Sequence, residues 1–452
     1  MAIWWITEAI PIPATALLPI ALFPLLGVMR SAEVTLSYAD HLIFLYLGGF
    51  LIAVTVQRWG LHRRIALVTI RLVGTSPNRI VLGFMVATAF LSMWISNTAA
   101  AMMMMPIGLA VIGQAADMLR AGSATVDVSP GRFRFGVALM LGIAYSASIG
   151  GVATLIGTPP NAILAGMIER QYGFSVGFLS WSAVGFPVAV IMLLTAWVYL
   201  VYIAVRGEVS ELPGGRRLIE EELRALGPMS RQEKLVSAVF AAVAAGWIAR
   251  GLAPADWLPM VQDSTIAMIG GVALFLVPSD FRRREFLLDW ATAVKLPWDV
   301  ILLFGGGFAL ANGFADSGLT TWFAHRLSGL QGTQAWLLVL LVVATVLLLT
   351  EVTSNTATAA LTLPVVAALA KASGLQPFSL MTAVAISASL AFMLPVSTPP
   401  NAIVFGTRYV TIPQMARIGL GLDLVAAIWV LLAVLFLVPA VWGIQLALPP
   451  AA

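Results

Sequence analysis

Long apolar runs dominate the chain and are separated by short polar connections. A run of roughly 20 apolar residues crosses the hydrocarbon core of a bilayer as a helix. Two further apolar stretches are interrupted in the middle by the polar triplet Ser-Asn-Thr, at residues 96–98 and 354–356. The pattern predicts nine spans, at residues 3–27, 41–57, 136–156, 179–205, 235–250, 261–278, 299–316, 378–396 and 421–446.

The two triplets place amide and hydroxyl groups where water is absent, which is costly unless the groups find partners. We expect the interrupted stretches, 80–95/98–116 and 334–352/356–371, to be re-entrant hairpins with the triplet at the tip. A single copy would be better explained as a kinked span with an ordinary packing serine or threonine. Two matched copies favour the hairpins.

The chain repeats itself at a fixed offset. Asn355 lies 258 positions after Asn97, and the same offset relates Pro106 to Pro364. A Thr-Pro-Pro-Asn-Ala-Ile motif also occurs twice, at 158–163 and 398–403, with an offset of 240. The 18-residue difference indicates an insertion in the first copy, most simply within the loop 113–135.

Two consecutive prolines prevent a continuous helix, so segments 136–163 and 378–405 are expected to be helices broken near the same depth. Five predicted spans separate the two hairpins, an odd number that gives the two halves opposite orientations. Inverted repeats with broken helices at the membrane midplane are typical of secondary transporters. The sequence therefore predicts an all-α polytopic membrane protein with inverted-topology repeats, two re-entrant helical hairpins and two broken transmembrane helices.

The predicted domains are a first inverted repeat over 1–205, a cytoplasmic linker over 206–234 and a second inverted repeat over 235–452. Shifted back by 258, the span 235–250 falls before Met1. The first repeat is thus predicted to be incomplete at its N-terminus, and the natural protein to extend further.

Composition supports the membrane class. Of the residues, 60% are hydrophobic and 10% charged, and the mean hydropathy is +0.95, whereas a soluble domain carries about 25% charged residues. The absence of cysteine excludes disulfides, cysteine-based metal sites and cysteine nucleophiles. The three histidines are scattered and lie in no motif of an intramembrane hydrolase. We expect no enzyme activity, no catalytic residue and no organic cofactor.

The basic residues predict an orientation. With hairpins returning to their own side, 20 of the 25 Lys and Arg residues fall on one side, which the positive-inside rule makes cytoplasmic. Met1 then starts inside, Ala452 ends outside, and the protein lies in the cell inner (plasma) membrane. This distribution explains the pI near 9.6 without nucleic-acid binding. Segments 58–72 and 280–298 are predicted to be interfacial helices.

The triplets suggest a chemistry. A helix that begins at a triplet presents free N–H groups and a positive dipole end, which suit a carboxylate or sulfate oxygen. The helix that ends there offers carbonyls, which together with the Asn oxygen suit Na⁺. Neither triplet and neither Thr-Pro-Pro-Asn motif contains Arg, Lys or His, and Arg408 is the nearest. The charge of a bound dianion would have to be balanced by dipoles and by more than one Na⁺. For Glu351, in the second stretch, a structural hydrogen-bonding role is favoured over proton coupling.

At these residues the chain resembles the divalent anion/sodium symporter family, which includes dicarboxylate transporters of the INDY type. The resemblance covers nearly the whole chain. It rests on WWITEAIPIPATALLP near the start, on both triplets, on TEVTSNTAT around the second one, and on ASLAFMLPVSTPPNAIV at 388–404.

The resemblance implies a set of site residues. The first Na⁺ site would involve Ser92, Ser96, Asn97 and Gly157, and the second would involve Thr350, Thr353, Asn355 and Ser397. Substrate contacts would come from Asn97, Thr98, Thr158, Pro159, Asn355, Thr356, Thr398 and Pro399. It further implies a homodimer and an elevator motion. The expected function is Na⁺-coupled symport of C4-dicarboxylates such as succinate, malate and fumarate; the alternatives are dicarboxylate exchange, or citrate or sulfate transport on the same fold.

Overall fold

The structure is a computed structural model that describes residues 1–7, 9–74, 76–121, 126–206, 215–254, 257, 259–282, 284–326, 329 and 333–446. Within these residues the regular structure is almost entirely helical. Seven of the described helical stretches are long and apolar enough to cross a bilayer. The protein is therefore an all-α, multi-pass membrane protein, as predicted.

Eleven α-helices precede the linker in the described chain. They are α1 (Ala2–Thr7), α2 (Ile12–Ala16), α3 (Leu18–Leu25), α4 (Ser31–Leu36), α5 (His41–Arg58), α6 (Leu61–Val73), α7 (Pro77–Ser92), α8 (Asn97–Ala121), α9 (Arg134–Val152), α10 (Pro159–Tyr172) and α11 (Phe178–Val198). A π-helical turn, Tyr199–Ala204, extends α11.

Twelve α-helices follow in the described chain. They are α12 (Gly215–Ala225), α13 (Arg231–Leu252), α14 (Asp263–Leu276), α15 (Trp290–Ala293), α16 (Trp298–Asp316), α17 (Leu319–Arg326), α18 (Ala335–Thr350), α19 (Asn355–Ala372), α20 (Pro377–Ala388), α21 (Pro399–Gly406), α22 (Ile412–Leu432) and α23 (Val438–Trp442). Helix α12 belongs to the predicted linker, of which residues 207–214 lie outside the described residues.

The repeat seen in the sequence reappears in the helix boundaries. Helices α7 and α18 both have 16 residues and coincide at both ends when shifted by 258. With the same shift, α5, α6 and α8 start within one residue of α16, α17 and α19. Helix α8 has 25 residues against 18 in α19, so part of the insertion predicted within 113–135 is an extension of this helix.

Both predicted hairpins consist of two helices joined at a triplet. Helix α7 ends at Ser92 and α8 begins at Asn97, whereas α18 ends at Thr350 and α19 begins at Asn355. Helix α8 is by itself long enough to cross a bilayer. The re-entrant course of the two hairpins therefore stays a prediction.

Two predicted elements are wrong. The span at 3–27 is divided into α1, α2 and α3, because prolines in the first turns of α2 and α3 start new helices after turns. The interfacial helix at 280–298 is instead an antiparallel pair, β1 (Pro278–Asp280) with β2 (Glu285–Phe286), followed by the four-residue α15. Arg284, with φ of 51°, is in the left-handed region, which a continuing helix excludes.

A side-chain cap determines where α15 begins. Asp289 caps α15 by accepting a hydrogen bond from the Thr292 backbone amide at 2.7 Å, and it pairs with Arg58 at 2.6 Å. The hydrogen bonds from Thr292, with the nearby Arg58 guanidinium, hold the pKa of the Asp289 carboxyl below its ordinary value. The segment is thereby joined to the end of α5.

Two predicted spans differ from the observed helices by eight or more residues at one end. The helix predicted over 378–396 ends at Ala388, and residues 389–398 are not helical. The helix predicted over 421–446 already begins at Ile412, where Thr411 and Gln414 form a capping box. The helix predicted over 58–72 is found as α6, and its interfacial location stays a prediction.

Candidate substrate and cation site

The first triplet lies where the end of α7 meets α9. Ser92 Oγ is 2.7 Å from Asn97 Oδ1 and 2.6 Å from the carbonyl oxygen of Ala147. Three oxygens thus share one hydroxyl hydrogen, because neither the carbonyl nor the side-chain Oδ1 can donate. When Ser92 donates to Ala147, the lone pairs of Ser92 and Asn97 face each other. A small cation would relieve this arrangement.

The second triplet has the same arrangement. Thr350 Oγ1 is 2.9 Å from Asn355 Oδ1 and 2.8 Å from the carbonyl oxygen of Ala388. Thr350 corresponds to Ser92 at the 258-residue offset, so a hydroxyl has the same place in both repeats. We call the Ser92–Asn97 group and the Thr350–Asn355 group the first and second half-sites.

Each half-site faces a broken helix, and an asparagine joins the two pieces of that helix. In the first repeat, Asn161 Nδ2 donates to the carbonyl oxygens of Gly151 at 3.1 Å and Thr154 at 2.8 Å. Gly151 is in the last turn of α9 and Asn161 is in the first turn of α10. The side chain thus satisfies carbonyls that the end of α9 leaves free.

In the second repeat, Asn401 makes the corresponding hydrogen bonds. Asn401 Nδ2 donates to the carbonyl oxygens of Ala391 at 3.2 Å and Leu394 at 3.1 Å, and lies 3.0 Å from Ser397 Oγ. Asn161 and Asn401 are fully buried, and the Oδ1 atom of each has no hydrogen-bond partner among the described residues. We call these two residues the clasp asparagines.

Glycines allow the first half-site to close. A β-carbon at Gly151 would lie 2.6 Å from Asn97 Oδ1 and 3.2 Å from the Gly157 carbonyl oxygen, so these two oxygens border the same small space. A β-carbon at Gly157 would come within 2.4 Å of the Gly151 carbonyl oxygen. Side chains are therefore excluded at both positions. In the second repeat the equivalents at the 240-residue offset are Ala391 and Ser397.

The two repeats are interlocked around the half-sites. Helix α8, which starts at the first triplet, packs against α21, and α19, which starts at the second, packs against α10. The ring of Phe392, in the break of the second repeat, lies edge-on to Tyr145 of α9 with ring centroids 5.0 Å apart. Each hairpin therefore borders the broken helix of the other repeat.

The remaining residues that the resemblance implied lie at helix starts. Ser96 Oγ accepts a hydrogen bond from the Ala99 amide at 3.3 Å, and Thr398 Oγ1 accepts one from the Asn401 amide at 3.3 Å. Thr158 and Thr398 are the N-caps of α10 and α21, with Pro159 and Pro399 following them, and Thr98 and Thr356 are in the first turns of α8 and α19.

One implied ligand is engaged elsewhere. Thr353 Oγ1 contacts Thr358 Oγ1 at 2.5 Å and donates to the Leu349 carbonyl at 2.8 Å. Both contacts keep its side chain within its own hairpin. Of the implied Na⁺ ligands, Ser92 with Asn97 and Thr350 with Asn355 are in direct contact, and Gly157 borders the space beside Asn97.

Sequence reasoning missed the role of the clasp asparagines. The signal that could have indicated them is that each belongs to a duplicated motif. It also missed Tyr46 of α5, whose buried hydroxyl donates near the first break, at 2.6 Å from the Leu155 carbonyl oxygen and 2.7 Å from that of Thr158. Tyr46 is far from both motifs in sequence, so no local pattern could have indicated it.

The geometry suits an anion and cations together. Helices α8, α10, α19 and α21 all begin in this region, and their positive dipole ends favour negative charge. Free N–H groups come mainly from α8 and α19, because α10 and α21 each begin with two prolines. The paired oxygens of the half-sites favour hard cations. No three or more His, Cys, Asp or Glu side chains cluster as a metal site in the described part of the chain. Monovalent ions held by neutral oxygens match these groups better than a transition metal.

Comparison with known proteins agrees with this chemistry. The family model "Sodium:sulfate symporter transmembrane region" matches residues 1–448. Proteins named sodium-dependent dicarboxylate transporter SdcS, from Staphylococcus saprophyticus and Staphylococcus aureus strain USA300, are each 45% identical over 452 residues. The alignments cover 99% of this chain and 86% of each relative.

Two solved transporter structures share the fold at low sequence identity. The Alcanivorax borkumensis YdaH transporter has a TM-score of 0.58 at 14% identity, covering 94% of this chain and 89% of its own. Neisseria gonorrhoeae MtrF, described among antimetabolite efflux pumps, has a TM-score of 0.55 at 13% identity, covering 95% and 86%. On the family match and the 45% identity, this chain belongs to the sodium:sulfate symporter family.

Proposed function

We propose that the protein is a secondary transporter that couples inward movement of Na⁺ to uptake of C4-dicarboxylates such as succinate, malate or fumarate. The observation that carries the proposal is the pair of matched half-sites, each with a hydroxyl and an Asn oxygen sharing a single hydrogen. The names of the 45%-identical relatives support the same cation and substrate class.

Electrostatics explains why cations would accompany the anion. A dianion in a buried site requires compensating charge, since desolvation of an isolated carboxylate is very costly. Neither triplet and neither Thr-Pro-Pro-Asn motif supplies a basic side chain. The helix N-termini contribute partial positive charge, about half an elementary charge each at most. One Na⁺ at each half-site would supply the rest and make anion binding depend on Na⁺.

The proposed ligands are the residues that the family resemblance implies. Na⁺ binds at the first half-site to Ser92, Ser96, Asn97 and Gly157, and at the second to Thr350, Thr353, Asn355 and Ser397. The substrate carboxylates bind at the helix starts through Asn97, Thr98, Thr158, Pro159, Asn355, Thr356, Thr398 and Pro399. For Thr353, its contacts within the hairpin favour coordination through the backbone carbonyl.

Uptake into proteoliposomes tests the function. Purified protein is reconstituted, and uptake of labelled succinate is measured with an inward Na⁺ gradient and with K⁺ in its place. We expect accumulation only with Na⁺. Equal uptake in both ions would contradict Na⁺ coupling. Strict dependence on succinate inside the vesicles would establish exchange instead.

Sulfate is the second candidate substrate, because the description of the matching family names it. A competition experiment distinguishes sulfate from a dicarboxylate as the substrate. Excess unlabelled fumarate is expected to suppress labelled succinate uptake, and excess sulfate to leave it nearly unchanged. The reverse result would make sulfate the substrate.

We further propose an elevator motion, in which the hairpins and broken helices slide past the rest of the protein. The linker helix α12 packs against both α6 and α8, and Ile219 of α12 and Ile107 of α8 line one cavity of about 310 Å³. Because the chain has no cysteine, a Cys pair introduced at these two positions can be treated with bifunctional thiol reagents without background labelling. A cross-link is expected to stop uptake reversibly; unchanged uptake in the cross-linked protein would contradict the motion.

We propose that the protein lies in the plasma membrane as a homodimer, with the N-terminus inside and the C-terminus outside.

A further inference from the structure

Glu351 makes an unusual set of bonds at the second hairpin tip. It follows α18 directly and is 3% exposed. Its Oε1 accepts hydrogen bonds from the backbone amides of Phe392 at 2.6 Å and Met393 at 3.0 Å, and its Oε2 accepts one from Leu394 at 3.1 Å. These three amides lie in the non-helical break between α20 and α21, so one side chain satisfies backbone donors that have no helical partner.

In the first repeat, a different hydrogen bond joins the hairpin tip to the break in the helix. The position equivalent to Glu351 at the 258-residue offset is Met93. There the main-chain carbonyl of Met93 accepts one hydrogen bond, from Thr154 Oγ1 at 2.5 Å. Thr154 in turn corresponds to Leu394 at the 240-residue offset. One neutral hydrogen bond in the first repeat is thus replaced by three bonds to a carboxyl group in the second.

We propose that Glu351 is a positioning residue for cation binding at the second half-site. It holds the segment 389–398 against the hairpin tip. The residue directly before this segment is Ala388, whose carbonyl oxygen lies 2.8 Å from Thr350 Oγ1. The same segment carries Ser397, held by the clasp residue Asn401. The inference rests on the proposed function, since it assigns Na⁺ to this half-site.

A consequence is that the two half-sites depend on different residues. Loss of the Glu351 bonds would let 389–398 move away from Thr350 and Asn355, while the first half-site keeps its own Thr154–Met93 bond. Only one of the two Na⁺ sites would then weaken. The anion contacts at the helix starts would be less affected, provided that both cations are present in excess.

Replacement by glutamine is the sharpest test. Glu351→Gln preserves size, but an amide nitrogen replaces one carboxyl oxygen, so at least one of the three backbone amides loses its acceptor. Asp423 of α22, which hydrogen-bonds to the Glu351 side chain, is the acceptor left for the new N–H groups. Glu351→Asp retains the carboxyl group but is one methylene shorter, so it can reach the amides only in part. Met93→Leu, at the equivalent place in the first hairpin, is the matched control, because it leaves the main-chain carbonyl that Thr154 uses.

The measurement is the Na⁺ activation curve of succinate uptake in proteoliposomes. Glu351→Gln is expected to raise the half-saturating Na⁺ concentration about tenfold and to lower the Hill coefficient. The KM for succinate at saturating Na⁺ is expected to change by less than about twofold, a separation that general misfolding would not produce. Glu351→Asp should be intermediate, and Met93→Leu should match the wild type.

A second measurement does not need transport. The unfolding temperature of detergent-solubilised protein is followed as NaCl replaces choline chloride, without substrate; the Na⁺ needed for stabilisation should rise in Glu351→Gln. Should that variant fail to fold, Glu351→Asp decides in its place. Wild-type Na⁺ dependence in both assays would overturn the inference. Absence of Na⁺-driven uptake in the wild type would instead refute the proposed function.

Discussion

Thr350 Oγ1 lies 2.9 Å from Oδ1 of Asn355, and the same hydroxyl lies 2.8 Å from the carbonyl oxygen of Ala388. The contact joins the hairpin to the end of α20, and its counterpart in the first repeat uses serine. We expect Thr350→Val to reduce Na⁺-driven succinate uptake about tenfold or more, because a hydroxyl oxygen is lost and a buried carbonyl loses its donor.

Thr350→Ser is the natural control, since Ser92 makes both equivalent contacts. It is expected to retain most of the uptake rate. Rates are compared in proteoliposomes at equal amounts of reconstituted protein. If valine supported uptake as well as serine, the hydroxyl would have no part in cation binding.

The two triplet asparagines are expected to be required independently. Asn97→Ala and Asn355→Ala each remove a side-chain oxygen from one half-site and should reduce uptake to background, because both cations are needed to balance a dianion. Size-exclusion profiles and unfolding temperatures check that the variants remain folded. A wild-type rate in either variant would show that its triplet is not part of the site.

Much of the site followed from spacing in the sequence. The 258-residue offset predicted the matched ends of α7 and α18, and the triplets marked the starts of α8 and α19. These features are local, because a polar triplet in an apolar run and a following helix start are set by a few adjacent residues.

The features that sequence reasoning missed depend on contacts between distant segments. For Glu351 a hydrogen-bonding role was predicted but not its partners, because the three amides that donate to it lie more than forty positions away. Tyr46 reaches the first break from over a hundred positions away. The β1–β2 pair was missed for a different reason, because its basic and aromatic residues also fit an interfacial helix. The left-handed conformation of Arg284 is what prevents a continuous helix in this segment.

Opposite substitutions at Gly151 and at its counterpart Ala391 are expected to have unequal effects on Na⁺ binding. In Gly151→Ala, the new β-carbon would lie 2.6 Å from Asn97 Oδ1, so the asparagine or the end of α9 must shift. We expect a several-fold rise in the half-saturating Na⁺ concentration, whereas Ala391→Gly should leave it near the wild-type value. Na⁺ activation curves for both variants provide the test, and unaltered Na⁺ dependence in Gly151→Ala would show that the space beside Asn97 binds no cation.

The clasp asparagines are expected to contribute mainly to stability. Asn161→Asp and Asn401→Asp preserve size, but an ionised acid has no donor and a protonated acid has a single O–H. At least one carbonyl of each pair, Gly151 and Thr154 or Ala391 and Leu394, therefore loses its donor. Each change should lower the free energy of unfolding by about 1–3 kcal/mol. Asn78→Asp is the control, since an acid in the first turn of α7 suits the helix dipole. Equal unfolding temperatures in all variants would contradict the clasp.

Arg64 of α6 binds two residues that follow α12 in the chain. Its Nε lies 2.7 Å from Glu233 Oε1 and its Nη1 donates to the Gly227 carbonyl at 2.9 Å, with the side chains of Arg64 and Glu233 only 16% and 8% exposed. We expect Arg64→Gln to weaken this attachment by about 1–3 kcal/mol, because Glu233 loses its charged partner but retains the hydrogen bond from the Ser230 amide. Trypsin should then cleave faster near Arg224 in the detergent-solubilised protein.

Arg63→Gln isolates the effect of burial in the same helix. Arg63 pairs with Glu222 of α12 at 2.5 Å, but the two side chains are 48% and 32% exposed, and such surface pairs contribute about 0–1 kcal/mol. Cleavage near Arg224 should therefore change little in Arg63→Gln and strongly in Arg64→Gln. Equal cleavage rates in the two variants would mean that the buried pair does not hold the linker. Since α12 also packs against α8, release of the linker should slow succinate uptake in Arg64→Gln as well.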